Sequence, residues 1–246
     1  MSRADLAVQT RGGLDSMGML VWVGFLAFFV ASLVVGVRLL LLWSRTRELP
    51  ELLIGVGVLG IGPVGFGSQR VAQAILESAR SSDPGAAIPA SVMALMLIGG
   101  AAGMIGVACK LVFNTRVYHA DNEWMNRFMW AGVAGVVALF FFRMAVGDLV
   151  PGPMPSKLAR MQSFAQIGAL GWGSLEALHY WRRMQKRTAL GLADPAVTNR
   201  FLLWGIGAGA AGLGSMLGAV AGIVLGRPTF EVGWIVASSS DRKSVV

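Results

Sequence analysis

Six stretches of this chain run predominantly apolar for the length of a membrane crossing, without the regular polar face that a soluble surface helix shows at every turn. They are Gly18 to Trp43, Leu52 to Leu76, Ile88 to Phe113, Met129 to Gly147, Leu158 to Trp181 and Phe201 to Leu225. A seventh begins at Phe230 and stops after Ser238. A hydrocarbon core about 30 Å thick needs roughly 20 helical residues, and the first six runs supply them. The connections between runs are short and polar. The pattern predicts an all-α, polytopic transmembrane helical bundle of seven-helix design, its seventh helix truncated. It forms a single integral membrane domain over residues 1–240, with the lipid bilayer as its first partner.

Prolines punctuate the same map. Pro50, Pro89, Pro155, Pro195 and Pro228 lie near the starts of runs, where a missing N–H leaves no intrahelical bond unmade. Asp194, before Pro195, suits a helix cap. Pro63 is different: it lies mid-run among Gly60, Gly62, Gly65 and Gly67. A proline flanked by glycines predicts a kink or a short unwound turn, with Gly62, Pro63 and Gly65 as the hinge.

These glycines also spell G-x-G-x-x-G at Gly55, Gly57 and Gly60, and again at Gly60, Gly62 and Gly65. A dinucleotide site needs a strand before that motif and an acidic residue about 20 positions after it. Here the glycines lie inside a membrane-length apolar run with no strand before them, and the spacing recurs at Gly207, Gly209 and Gly212 in another such run. The motif is therefore read as helix packing, and no cofactor is expected. Gly214, Gly218, Gly222 and Gly226 fall four apart and form a small-residue ridge. Such a ridge suits close approach of a helix-helix partner, within the chain or in a second copy.

Composition agrees with the pattern. Of 246 residues, 55% are hydrophobic and 14% charged, against about 25% charged in soluble proteins. The net charge of +8 would suit nucleic acid in a soluble protein. In a membrane protein it reports orientation instead, and no nucleic acid is expected. Arg45, Arg47, Arg116, Arg127, Arg182, Arg183, Lys186, Arg187 and Arg200 fall on one side. Arg3, Arg11, Arg80, Lys157 and Arg227 fall on the other. The richer side is expected in the cytoplasm, with the N-terminus outside a bacterial-type plasma membrane. The first run is too long for a signal-peptide core of about 7–15 residues. Cys109 has no cysteine partner and is expected to pack.

The ending Asp-Arg-Lys-Ser-Val-Val, Asp241 to Val246, would set charges in the middle of an incomplete seventh helix. A common sequencing adapter, GATCGGAAGAGCGTCGTG, encodes these same residues. The tail is expected to be non-native, with the seventh helix continuing in the natural protein.

Polar residues inside apolar runs are costly and often functional. Gln69, Arg70 and Gln73, Arg143 and Asp148, and Arg160, Gln162 and Gln166 form an outer set whose positive balance suits a small polar or anionic ligand. The simpler expectation is that Arg143 pairs with Asp148 and the glutamines bond between helices. An inner set holds Lys110 with Glu176 and His179, which share one helix face three residues apart. The nearby "RVYHADNEW" adds His119, Asp121 and Glu123. The spacing fits no metal motif, and a capped loop is the expectation. "NRFMWAG" at Asn126 and "NRFLLWGIG" at Asn199 hint at repeated hairpins. The expected function is a receptor-like or sensory module, not an enzyme. The rival is a small-solute transporter or channel built from hairpin repeats around a broken helix.

Overall fold

The computed structural model describes Leu26 and residues 28–82, 87–149 and 156–224. Among the described residues every regular element is helical, and six helices follow one another. They are α1 (Phe28–Thr46), the composite α2, then α3 (Ala90–Tyr118), α4 (Glu123–Ala145), α5 (Lys157–Ala189) and α6 (Pro195–Val224). α2 is α-helical over Leu49–Leu59, π-helical over Gly60–Phe66 and α-helical again over Gly67–Ser82. Among the described residues four helices, not the six expected from the apolar runs, are long and apolar enough to cross a membrane: α1, α2, α3 and α4. The seventh run, the tail Asp241 to Val246 and Gly226 lie outside the described residues, as do the surroundings of Gly214, Gly218 and Gly222.

Local signals set the helix ends. Pro50 occupies the first turn of α2, and Pro89 and Pro195 open α3 and α6. Asn122 caps α4 by accepting from the Met125 N–H at 3.2 Å. Ser156 caps α5 by accepting from the Ala159 N–H at 2.9 Å. Helices outrun the apolar stretches at the polar ends. α3 continues to Tyr118, and α5 passes through Arg182, Arg183, Lys186 and Arg187 to stop at Ala189. Lys and Arg are good helix formers, and the chain turns only where Gly191 adopts a φ of 70°.

The expected unwound turn at Pro63 is not what forms. The helix stays continuous and widens instead. Pro63 has no N–H for the Leu59 carbonyl, and its ring would collide with that carbonyl in an α-helix. In the π turn the bonds reach one residue farther, so that the Gly67 N–H meets the Gly62 carbonyl. The wide turn brings the Gly60 carbonyl against Gly65, where an added Cβ would lie 2.2 Å from it. Only glycine fits there.

Glycines also let α2 and α3 touch backbone to backbone. A Cβ at Gly60 would lie 2.6 Å from the Ala102 carbonyl, and one at Gly99 2.7 Å from the Gly65 carbonyl. At Gly106 it would stand 2.8 Å from the Ile61 nitrogen and 2.9 Å from the Gly57 carbonyl. The other side of α2 takes α1: Gly55 meets Leu40, and Gly62 meets Ser32. α3 is the hub, packed on α2, α4 and α5, while α5 and α6 lie together along their length. In α6 it is Gly205, Gly209 and Gly212 that face α5, and the Ser174 hydroxyl donates to the Gly205 carbonyl at 2.7 Å.

The seam makes a prediction. Gly106→Ala should lower stability in detergent by about 1–3 kcal/mol, because backbone on α2 must move to admit the methyl. Gly135→Ala on α4, where nothing lies within 4 Å, should stay within about 0.5 kcal/mol of the parent. Thermal unfolding of both purified variants checks this, and equal losses would contradict the seam.

Candidate functional site

The polar residues gather at the two ends of the bundle. At the α4–α5 turn, Arg143 leaves the last turn of α4 and is held from several sides. Its Nε donates to Asp148 Oδ2 at 2.9 Å, its Nη2 to the Asp148 carbonyl at 2.7 Å, and its Nη1 to Gln162 Oε1 on α5. The Ser156 hydroxyl donates to the same Asp148 oxygen at 2.6 Å. Gly147, at φ 72°, turns the chain so that Asp148 folds back on Arg143. The Arg143 and Asp148 side chains are 13% and 20% exposed, and Gln162 is buried. This is a charge-assisted, many-point clasp.

Gln69, Arg70, Gln73 and Gln166 make other contacts. Arg70 lies along its own helix, its Nη1 donating to Gln73 Oε1 at 2.9 Å and its guanidinium 5.0 Å from the Phe66 ring centre. Gln69 and Gln166 approach α3 at neighbouring glycines. The Gln69 Cγ would touch a Cβ at Gly99, and the Gln166 Nε2 one at Gly103. Arg160 is exposed in the first turn of α5. Ser156, absent from the sequence expectation, is the cap and the clasp together.

At the opposite end the partners differ from those expected. Glu176 and His179 share a face, yet His179 is exposed and Glu176 bonds elsewhere. His119, at the end of α3, lies 2.8 Å from Glu176 Oε1 through its Nε2. Trp172 Nε1 donates to the same oxygen at 3.1 Å, and the His119 and Trp172 rings stack with centroids 6.5 Å apart. A shallow hollow of about 500 Å³, lined by Tyr118, His119, Asp121, Glu123 and Trp124 among others, opens beside this pair. Among the described residues no three of His, Cys, Asp and Glu converge as a metal site.

Deeper lie groups that the sequence reading passed over. Asn114 is 0% exposed and Thr115 2%. Among the described residues neither the Asn114 amide nor the Thr115 hydroxyl has a hydrogen-bond partner, and the buried Tyr118 hydroxyl has none either. An unsatisfied buried group of this kind costs about 1–3 kcal/mol. Lys110 stands one turn above Asn114. A Cβ at Gly173 on α5 would fall 3.0 Å from both Lys110 Nζ and Asn114 Oδ1. Phe113, Tyr118, Tyr180, Phe201 and Trp204 wall the region with ring contacts of 4.8–6.4 Å. The signal available in sequence was the four-residue spacing of Lys110, Asn114 and Tyr118 inside "CKLVFNTRVY".

The two repeated segments take different roles. Trp130, from the first, is 55% exposed, whereas Trp204, from the second, sits in the aromatic wall. No family model, curated protein or solved structure matches this chain.

The clasp is testable by a double-mutant cycle. Arg143→Leu and Asp148→Leu should each cost about 1–3 kcal/mol, since each strands a charged partner in partly buried surroundings. The double variant should cost less than the sum by about 0.5–3 kcal/mol. Additive losses in thermal unfolding would show that the two side chains act separately.

Proposed function

We propose that the chain is a receptor-like membrane module of seven-helix design, operated by a small polar or anionic ligand at the Arg143 clasp. The observation that carries this reading is how α4 and α5 are joined. They are lightly packed on each other: Phe128 meets Trp172 edge-on and Val136 shares a buried cluster with Ala169, while the polar tie between them is made by Arg143, Asp148 and Gln162. A carboxylate or phosphate offers Arg143 the same acceptors that Asp148 supplies. Such a ligand would exchange with Asp148, free the α4–α5 turn and let α5 shift against α4. The positive-inside rule sets the clasp on the outer side and the basic end of α5 in the cytoplasm, where the shift would be read.

A second reading, a small-solute transporter, draws on the π turn around Pro63. A widened helix against a glycine seam is a joint about which α2 could rock. The two readings part on one point: a receptor binds and releases on the same side.

The experiment joins unfolding and uptake. The purified chain is heated with acetate, succinate or inorganic phosphate. A ligand at 100 times its Kd should stabilise by about 2.7 kcal/mol, raising the midpoint by roughly 5–10 °C for a chain of this size. Arg143→Leu should abolish the rise, and liposomes should take up none of the active anion. Absence of any rise with the three anions would overturn the ligand class. Uptake into liposomes would favour transport.

A further inference from the structure

The clasp leaves the opposite end of the bundle unexplained. There, on one face of α3, Lys110, Asn114 and Tyr118 recur every four residues, with Thr115 beside Asn114. Four helical residues rise about 6 Å, close to the reach of two hydrogen bonds through one bridging water. Asn114 is fully buried, and among the described residues both its amide atoms and the Thr115 and Tyr118 hydroxyls lack a hydrogen-bond partner. Buried polar groups of this kind are ordinarily met by ordered water.

Lys110 extends the series inward. It is eight residues, about 12 Å, from the end of α3 and so within the membrane-length part of that helix. No hydrogen bond or ion pair reaches its amine among the described residues; its nearest described company is the Phe113 ring at 5.2 Å and the notch at Gly173. Its side chain is partly buried and reaches toward Gly173 on α5. Charged residues at such depth face a partner or a wet cavity.

The series has a mouth and a stop. Tyr118 packs on Tyr180, one turn beyond Glu176, and lines the hollow beside the His119–Glu176 pair. Past Lys110 the interior turns apolar: Val107, Val136 and Ala169 form a buried cluster with Ile61, Met104 and Ala165 against it.

We propose that this face of α3 binds a single file of water, which enters beside His119 and Glu176, passes Tyr118 and Asn114, and ends at Lys110. It is a half-channel, wet from one end and dry beyond Val107. It hydrates the Lys110 amine and gives it aqueous contact with the membrane face that carries the α3–α4 turn. This inference does not rest on the ligand proposed for Arg143.

The test is cysteine accessibility in a Cys109→Ala background. Asn114→Cys, Tyr118→Cys and Ile105→Cys are each treated with a small cationic methanethiosulfonate in vesicles of either orientation. Ile105 is 47% exposed on the outside of the bundle and serves as the lipid-facing control. Positions 118 and 114 should react at least tenfold faster than 105, and only from the side of the α3–α4 turn. An inert cysteine at 114 beside a reactive one at 118 would end the file at its mouth. Reaction at 114 from the other face would overturn the half-channel. Hydroxyl-radical footprinting of the unaltered chain guards against misfolded variants. Tyr118 should be oxidised and the buried Phe140 spared, and an unmodified Tyr118 would refute the file.

Discussion

Inside a bilayer a backbone group that loses its partner has no water to turn to, and Pro63 sets that problem in the middle of α2. The answer is the π turn, and the rest of the packing follows from it. Widening over Gly60–Phe66 lets the chain pass the proline as one continuous helix. It also pushes the Gly60 carbonyl toward Gly65 and presents a bare backbone surface to α3. Gly99, Gly103 and Gly106 answer with a bare surface of their own. Two helices without side chains between them come closer than leucines would allow, and dispersion replaces the hydrophobic drive that lipid cannot provide.

That contact makes α3 the centre of the bundle. Its α2 side is glycine and its α5 side is polar toward Tyr118. Lys110 and Asn114 share the notch at Gly173, where a Cβ would lie 2.6 Å from the Lys110 Cε. α5 in turn lies along α6, where Ser174 bonds the Gly205 carbonyl. The polar chemistry is thereby sorted to two ends. Arg143 closes one with Asp148 and Gln162, and His119 closes the other with Glu176 and Trp172. The apolar cluster of Val107, Val136 and Ala169 lies between.

Much of this was legible beforehand. The helical character of the apolar runs, the prolines at helix starts and the Arg143–Asp148 pair all act within a few residues, and local rules reach that far. What failed needed partners from afar. Glu176 and His179 share a face by periodicity, but which residue bonds Glu176 depends on where α3 ends relative to α5. The end of α3 at His119 lay beyond the apolar run. Asn114 and Thr115 looked like ordinary interruptions, because their burial depends on how distant helices pack on α3, as at Gly173 beside Asn114. The eight outer residues share one end of the chain's helices but separate about α2 and α5, since Arg70 finds Gln73 on its own helix. Pro63 announced a disturbance without its form: a proline among glycines is compatible with a kink, an unwound turn or a π turn, and the local sequence does not distinguish them.

The seam between α2 and α3 can be measured directly with the chain's own thiol. A Cβ built at Gly57 lies 3.9 Å from the Cys109 Cβ, the separation found in disulfides, about 3.8 Å. Gly57→Cys in native membranes, mildly oxidised, should therefore cross-link to Cys109 within the monomer. Proteolysis between α2 and α3 would then leave the two halves joined until reduction. Gly135→Cys on α4, with open space around it, should leave them separate. A Gly57→Cys chain that inserts and folds but never joins Cys109 would contradict the glycine seam and the continuous, π-widened helix on which it rests.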